Sequence, residues 1–246
     1  MKRIIFILLT LLLVFAMFGC DSEDDGTGTS STQSVPDAGN TDDGNENEQY
    51  FPLSYTKDGV DEFYTLFQQT MYNYNMEEFL KEKCYNVTPQ EVSEATDAKI
   101  FKFINNSASF VLIDNEIHEI CVYFGGYGFI NAVPCDFDGD GSLDLLVASS
   151  WGSGLHRSEI SVFNLTNKTF EIYYSTQDQS MANNYIELVV QAKENSDGTV
   201  TYELYSVDYK SALVGDSFTL AYKAIELHGI MENVDGVPTF KAVANE

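Results

Sequence analysis

One acidic segment, residues 136–144 with the sequence DFDGDGSLD, constrains this chain more than any other part of it. Carboxylates stand at positions 1, 3, 5 and 9 of the segment, and glycine stands at position 6. Four anions this close repel one another unless a cation gathers their oxygens. The spacing matches the first three quarters of a calcium loop, so the segment predicts Ca²⁺ as a cofactor. The predicted ligands are the side chains of Asp136, Asp138 and Asp140, the backbone carbonyl of Ser142, and Asp144, directly or through water.

The residues after this loop differ from those of a helix-loop-helix site. Position 12, normally a bidentate glutamate, is Val147, and residues 145–148 are all apolar, which indicates a buried strand. We therefore expect a strand-loop-strand variant with weak affinity, on the order of 10⁻⁴ to 10⁻³ M. Magnesium is disfavoured because it prefers octahedral sites that retain several waters. The alternative is an acidic turn without an ion, since Asp and Gly are common in turns.

The loop resembles the calcium loop of the VCBS/FG-GAP repeat class. A longer stretch resembles a group of bacterial lipoproteins that carry a single such loop, with the sequence FGGYG at residues 124–128 before it and SWGSGLHRS at residues 150–158 after it. The similarity covers about residues 124–160. It implies calcium binding and export, and it implies no reaction.

The first 19 residues are typical of a signal peptide. They begin with Met1-Lys2-Arg3, continue with an apolar run at residues 4–18, and end at a Gly-Cys pair. A membrane-anchor helix is the alternative, but such a helix usually needs about 20 apolar residues. The pair favours a lipoprotein signal, with cleavage before Cys20 and acylation of its thiol by chains such as palmitate. We predict a lipid-anchored protein of the bacterial cell envelope that faces outside the cytoplasm, in the periplasm or at the cell surface.

Composition separates a tether from a globular part. Residues 20–49 hold the cysteine and a polar, acidic segment that is too poor in apolar residues to pack, so we expect a disordered tether. Residues 50–246 are long enough for a core and form the predicted β-rich globular domain with N-terminal helices. The formal net charge of the whole chain is −25 at pH 7, which argues against nucleic acid and anionic membrane surfaces as partners.

Three cysteines follow Cys20, and an odd number allows at most one intramolecular disulfide. If the chain reverses around Gly128, Cys121 and Cys135 lie opposite each other and can form a disulfide. The alternative, which the sequence supports equally, is that Cys84, Cys121 and Cys135 are three buried free thiols.

A second cluster contains Trp151, His156 and Arg157. One interpretation is a recognition loop for an envelope protein or a glycan, in which the ring stacks and the guanidinium pairs with a carboxylate. The other is a tight glycine turn in which these side chains pack structurally. An intervening strand would place the cluster roughly 20 Å from Asp144, at ~3.3 Å per residue. A hydrolase would need His156 to pair with a serine such as Ser153 or Ser158 and with a carboxylate, although no G-x-S-x-G elbow is present.

The remaining pattern predicts a mainly β (α+β) fold, with antiparallel sheets in a sandwich or blade-like arrangement, a small N-terminal helical cap and a single calcium loop. Periodicity and capping signals predict helices at residues 59–72, 76–84 and 89–95. Short hairpin turns between the strands leave no room for crossover helices, and we expect one or two packed sheets. The predicted strands are 99–104, 107–113, 116–124, 129–135, 144–150, 158–165, 169–175, 185–194, 199–209, 217–228 and 236–242.

These features predict an exported calcium-binding lipoprotein with a structural or recognition role at the cell envelope. The alternative is an exported hydrolase in which the calcium ion is structural.

Overall fold

Antiparallel strands dominate the computed structural model of this protein, which describes residues 50–53, 55–71, 73–121, 125–137, 139–176, 186–214 and 217–243. The predicted signal peptide, Cys20 and the predicted acidic tether lie outside the described residues, and so does Asp138. The strands form three antiparallel sheets, so the expected mainly β fold is confirmed. The number of sheets is three rather than the one or two that the sequence suggested.

The first sheet contains four consecutive strands and carries its first helix on one face. Apolar side chains alternate along its strands, so one face packs on the first helix and the other faces the second sheet. A two-residue turn at Asp114 and Asn115, both with positive φ, joins its last two strands. Its elements are α1 (Val60–Thr70), β2 (Cys84–Asn86), α2 (Gln90–Ala95), β3 (Lys99–Phe103), β4 (Ser109–Ile113) and β5 (Glu116–Glu119).

The second sheet is a meander in which each strand pairs with the next one along the chain. Its second strand is buried along almost its whole length, and this continuous apolar run is the pattern of a strand that is covered on both faces. Its strands are β6 (Gly128–Cys135), β7 (Asp144–Trp151), β8 (Arg157–Asn164) and β9 (Phe170–Ser175).

The third sheet is a further meander with one strand added from the N-terminal side of the chain. Its long fourth strand pairs through residues 220–223 with the added strand and through residues 229–234 with the last strand. Its strands are β1 (Tyr50–Leu53), β10 (Leu188–Glu194), β11 (Val200–Val214), β12 (Ser217–Val234) and β13 (Val237–Ala242).

The second sheet lies between the other two. Towards the first sheet, Lys102 donates to the carbonyl of Phe129 at 2.9 Å, and the Phe129 amide donates to Ser109 Oγ at 3.2 Å. Towards the third sheet, Asn131 exchanges two hydrogen bonds with the backbone of Val190. The main core fills the spaces between the three sheets, and a smaller aromatic core lies between the first sheet and α1.

Several local expectations are corrected. The predicted helix at residues 76–84 is two separate 3₁₀ turns, Met76–Glu78 and Lys81–Lys83, followed directly by β2. The helix at residues 89–95 begins one residue later, with Pro89 at the N-cap. The short strands β1 and β2 carried no recognisable sequence signal.

The Cys121–Cys135 disulfide is absent from the described residues, in which Cys84, Cys121 and Cys135 are all buried free thiols. The chain does not form a hairpin around Gly128, because β5 pairs with β4 whereas β6 pairs with β7. The two cysteines therefore belong to different sheets, and the alternative of three buried thiols holds.

Candidate functional site

The acidic loop joins β6 to β7 and is held together by its own carboxylates. The two carboxylate oxygens of Asp136 accept from the backbone amides of Gly139 at 2.9 Å and Gly141 at 3.1 Å. Asp140 Oδ1 accepts from the amide of Ser142 at 2.7 Å. Both glycines have positive φ, 75° and 86°, which is the reason that this turn requires glycine. The loop is thus pre-shaped by hydrogen bonds within five residues.

Asp144 occupies a different position, at the start of β7, where it is 2% exposed. It lies inside the second sheet, opposite Cys135 on β6 and Asn164 on β8. Asp136 and Asp140 are exposed on the loop above it. The loop therefore presents carboxylates at two depths, one in the sheet and the others at the surface.

The chemistry of this loop fits a hard cation, because it offers carboxylate and carbonyl oxygens. A carboxylate has about four lone-pair sites, so an oxygen of Asp136 that accepts one N–H can still face an ion. Within the part of the chain that the structure describes, no three Asp, Glu, His or Cys side chains already converge on a common point. Asp138, at the centre of the predicted ligand set, is not among the described residues.

A cleft of about 170 Å³ opens beside this loop. Asp144 and Phe137 are among its lining residues, and the others belong to the hairpins between β8 and β9 and between β12 and β13. Phe137 is fixed by its neighbours, because its ring lies 5.1 Å from that of Tyr202 and its carbonyl accepts from Asn233 Nδ2. The other lining residues are Val162, Asn164, Asn167, Thr169, Glu171, Tyr173, Gly236 and Pro238.

The second cluster lies, as expected, at the end of β7 opposite the acidic loop. We call it the Trp151 end of β7 and define it as residues 125–128, 150–157 and 187. Trp151 pairs with Arg157 across the turn, and the Arg157 guanidinium lies 5.1 Å from the centre of the indole ring. The Gly126 amide donates to the carbonyl of Gly152 at 2.9 Å. A Cβ on Gly126 would lie 2.5 Å from the Cα of Trp151, so the two backbones approach as closely as only glycine allows.

His156 is held by an acid at this end. Its Nδ1 lies 2.8 Å from Glu187 Oε1, and the same oxygen accepts from Ser150 Oγ at 2.7 Å. The Tyr127 amide donates to Ser150 Oγ at 3.2 Å, and the Tyr127 ring meets the His156 ring edge-on at 4.8 Å. Burial, with the negative charge of Glu187, raises the pKa of Tyr127. The contact with Glu187 and the edge-on Tyr127 ring together fix the direction of the imidazole ring.

The serines proposed as nucleophiles do not join this pair. Ser158 is fully buried and its hydroxyl accepts from the Leu188 amide at 2.8 Å, which favours a structural role. Ser153 is exposed on the turn. Ser150 contacts the acid rather than the imidazole. The structure therefore brings His156 to a carboxylate, and within the described contacts it does not bring a serine to the ring.

Glu187 and Lys102 were missed by sequence reasoning. Glu187 lies in no motif and reaches His156 only because the third sheet packs on the second. Lys102 is 3% exposed and donates to Tyr55 Oη at 3.2 Å and to the Phe129 carbonyl, and burial lowers its pKa to about 8. Its position in a strand of alternating apolar residues gave the only signal, since a lysine there interrupts the pattern.

Within the described residues, no helix has the length and apolar character needed to cross a membrane. Comparison of the chain with protein-family models, with curated proteins and with solved structures found no match.

Proposed function

We propose that this chain is an exported calcium-binding lipoprotein with a structural or recognition role at the cell envelope. The observation that carries the proposal is the acidic loop itself, in which hydrogen bonds from glycine and serine amides orient Asp136 and Asp140, and the buried Asp144 ends the same loop. The anchor would be lipid on Cys20, for which the apolar run and the Gly-Cys pair are the support.

Calcium binding would stabilise the folded chain. Asp144 is buried at the base of the loop, and burial of a carboxylate is costly unless charge and hydrogen bonds compensate it. A calcium ion between Asp144 and the loop would neutralise like charges and tie the end of β6 to the start of β7. Since the ion would bind the folded state alone, its binding free energy would add to folding stability.

A thermal unfolding experiment on the mature chain tests the calcium site. At about 10 mM Ca²⁺, the expected affinity gives about 1.4–2.7 kcal/mol of stabilisation, or about 3–10 °C in Tm relative to chelator. Asp140→Asn retains an acceptor for the Ser142 amide and removes the charge, so it should reduce this difference strongly. Asp97→Asn removes one exposed carboxylate from another loop and should leave the difference unchanged. Equal calcium responses in wild type and Asp140→Asn would reject the site.

Lipidation has its own test. Cells that express the full chain should incorporate labelled palmitate into it and retain it in the membrane fraction. Cys20→Ala should remove both the label and the membrane association, and label on the Cys20→Ala protein would contradict the anchor.

A second candidate function, hydrolysis, is favoured by the contact between His156 and Glu187. With Nδ1 committed to the carboxylate, Nε2 could take a proton from water as the water oxygen attacks an ester carbonyl carbon. That proton would then pass to the departing alkoxide, which leaves as an alcohol beside a carboxylic acid. His156→Gln should abolish any turnover of a chromogenic ester by the purified chain, whereas wild-type turnover at the rate of free imidazole would exclude this function.

A further inference from the structure

We infer that the cleft beside the acidic loop is a binding site for one neutral, pyranose-sized sugar. The inference rests on the recognition role proposed above, but it does not require the calcium ion. Most of the cleft is formed by the hairpins between β8 and β9 and between β12 and β13, which lie outside the acidic loop.

The size of the cleft sets the size of the ligand. Its volume is about 170 Å³, and a cavity of about 150 Å³ is known to hold a single benzene ring. One six-membered sugar ring therefore fits, whereas a second ring of an oligosaccharide would extend into solvent. This would suit recognition of a terminal residue of a glycan.

Two asparagines supply donors. Asn164 Oδ1 accepts from the amides of Thr166 at 3.0 Å and Asn167 at 2.9 Å, and Asn167 Oδ1 accepts from the Thr169 amide at 3.0 Å. These bonds fix both carboxamides through their oxygens. Neither Nδ2 group makes a hydrogen bond to a described residue, so both remain as donors at the cleft.

Acceptors complete the polar lining. Glu171 is positioned by the Tyr173 hydroxyl, which donates to its Oε2 at 2.8 Å, and Asp144 is the second carboxylate of the lining. Sugar hydroxyls donate and accept at once, so carboxamide donors beside carboxylate acceptors match them. The apolar lining residues Phe137, Val162 and Pro238 are buried, so the cleft would contact a ligand mainly through polar atoms.

The charge of the lining sets selectivity. Two carboxylates and no described lysine or arginine line the cleft, so an acidic sugar would be repelled. The expected ligands are neutral hexoses or N-acetylhexosamines, and a uronic acid should bind more weakly than its neutral parent.

Saturation-transfer NMR and calorimetric titration of the mature chain test this site. The probes are glucose, galactose, mannose and N-acetylglucosamine, with glucuronate as the acidic counterpart. At least one neutral sugar should bind in the millimolar range, and glucuronate should bind more weakly than glucose. Binding of no neutral sugar, or tighter binding of glucuronate, would overturn the assignment.

Variants locate the binding. Asn167→Asp and Asn164→Asp each keep the Oδ1 acceptor of the turn and replace the free donor, so each should weaken sugar binding about tenfold or more. Asn106→Asp makes the same substitution at a turn of the first sheet, where Asn106 Oδ1 accepts from the Ala108 amide at 3.1 Å and Nδ2 donates to the Glu78 carbonyl at 2.9 Å. This variant loses a hydrogen bond away from the cleft and should bind sugar as wild type does. Unchanged binding in both cleft variants, with folding intact by circular dichroism, would contradict the site.

Chelator separates this proposal from the calcium site. Sugar binding that persists in chelator and in Asp140→Asn supports the cleft even where the calcium response is absent. Sugar binding that is lost in chelator, in a chain that is still folded, would contradict an ion-independent cleft.

Discussion

The two ends of β7 are built in different ways. At the acidic end, the bonds that shape the loop join residues close in sequence, such as Ser142 to Asp140, two positions apart, and Gly141 to Asp136, five positions apart. At the Trp151 end, Ser150 bonds to Glu187 across 37 positions, and Tyr127 bonds to Ser150 across 23 positions. One end is a local turn, and the other is a junction of three sheets.

This difference predicts how each end responds to change. Residues 139–143 of the acidic loop can be altered with little effect on the sheets, because their neighbours are mainly their own backbone and solvent, whereas Phe137 and Asp144 are buried. A junction transmits any change to several strands, because well-packed interiors leave no space for adjustment. Surface substitutions can therefore test the proposed calcium site at the acidic end, whereas substitutions at the Trp151 end also change stability.

The largest expected contrast is between two glycines of nearly equal φ. Gly126→Ala, at φ 63°, would place Cβ against the Trp151 backbone and should cost about 4 kcal/mol, from overpacking and left-handed strain together. Gly139→Ala, at φ 75°, meets nothing within 4 Å and should cost about 1 kcal/mol, from strain alone. Urea unfolding in chelator measures both, and similar costs would remove the distinction between the two ends.

Titration of Lys102 should change the free energy of unfolding by about 3 kcal/mol. Lys102 donates to the carbonyl of Phe129, which follows Gly128 in β6. Burial lowers the pKa of Lys102 to about 8, so between about pH 8 and 10.5 the unfolded chain binds more protons there than the folded chain. This term makes stability rise with pH over that range. Below pH 8 the lysine is charged in both states and the term is flat.

The comparison variant for this prediction is Lys102→Met, which cannot titrate. Burial raises the pKa of the Cys121 thiol, which lowers stability at alkaline pH both in wild type and in Lys102→Met. The quantity to measure is therefore the difference in unfolding free energy between wild type and variant, by urea titration at each pH. A difference that stays constant from pH 7 to 10.5 would contradict the assignment.

An intermediate effect is expected at Glu187, whose side chain is 10% exposed and accepts from two groups. Glu187→Ala should cost about 1–3 kcal/mol, because it leaves Ser150 and His156 without their common acceptor. Glu194→Ala, at an exposed position of β10, should stay within about 0.5 kcal/mol of wild type. Chemical denaturation measures the cost, and equal effects at the two positions would show that Glu187 does not organise the junction.

The smallest effect is expected for Asp140→Asn in chelator. It keeps the acceptor for the Ser142 amide and removes one of several like charges, so stability should change by no more than about 0.5 kcal/mol, in the favourable direction. Thermal unfolding at low and high salt measures this change, which should shrink as salt screens the charges. A marked destabilisation would mean that the Asp140 charge has a structural role without the ion.

Local patterns predicted the secondary structure well and its assembly poorly. The eleven strands proposed between residues 99 and 242 all have counterparts among β3 to β13, because alternating apolar residues and Asn/Asp-Gly turns are signals that each segment carries itself. Asn75 caps its turn as expected, but a 3₁₀ turn replaces the helix that should have followed. The strand β2 that begins at Cys84 competes for those residues.

The sequence by itself determined the strands β3 to β13, the turns between them, the order of acids in the loop and the glycines that shape it, since each depends on residues a few positions apart. Only the tertiary structure decided that three sheets form, that Cys121 and Cys135 belong to different ones, and that Glu187 meets His156. It also created the cleft beside Asp144, which needs two hairpins separated by about seventy residues of chain. Such contacts depend on how sheets pack, and packing is set by the shapes of whole faces rather than by any local run of residues.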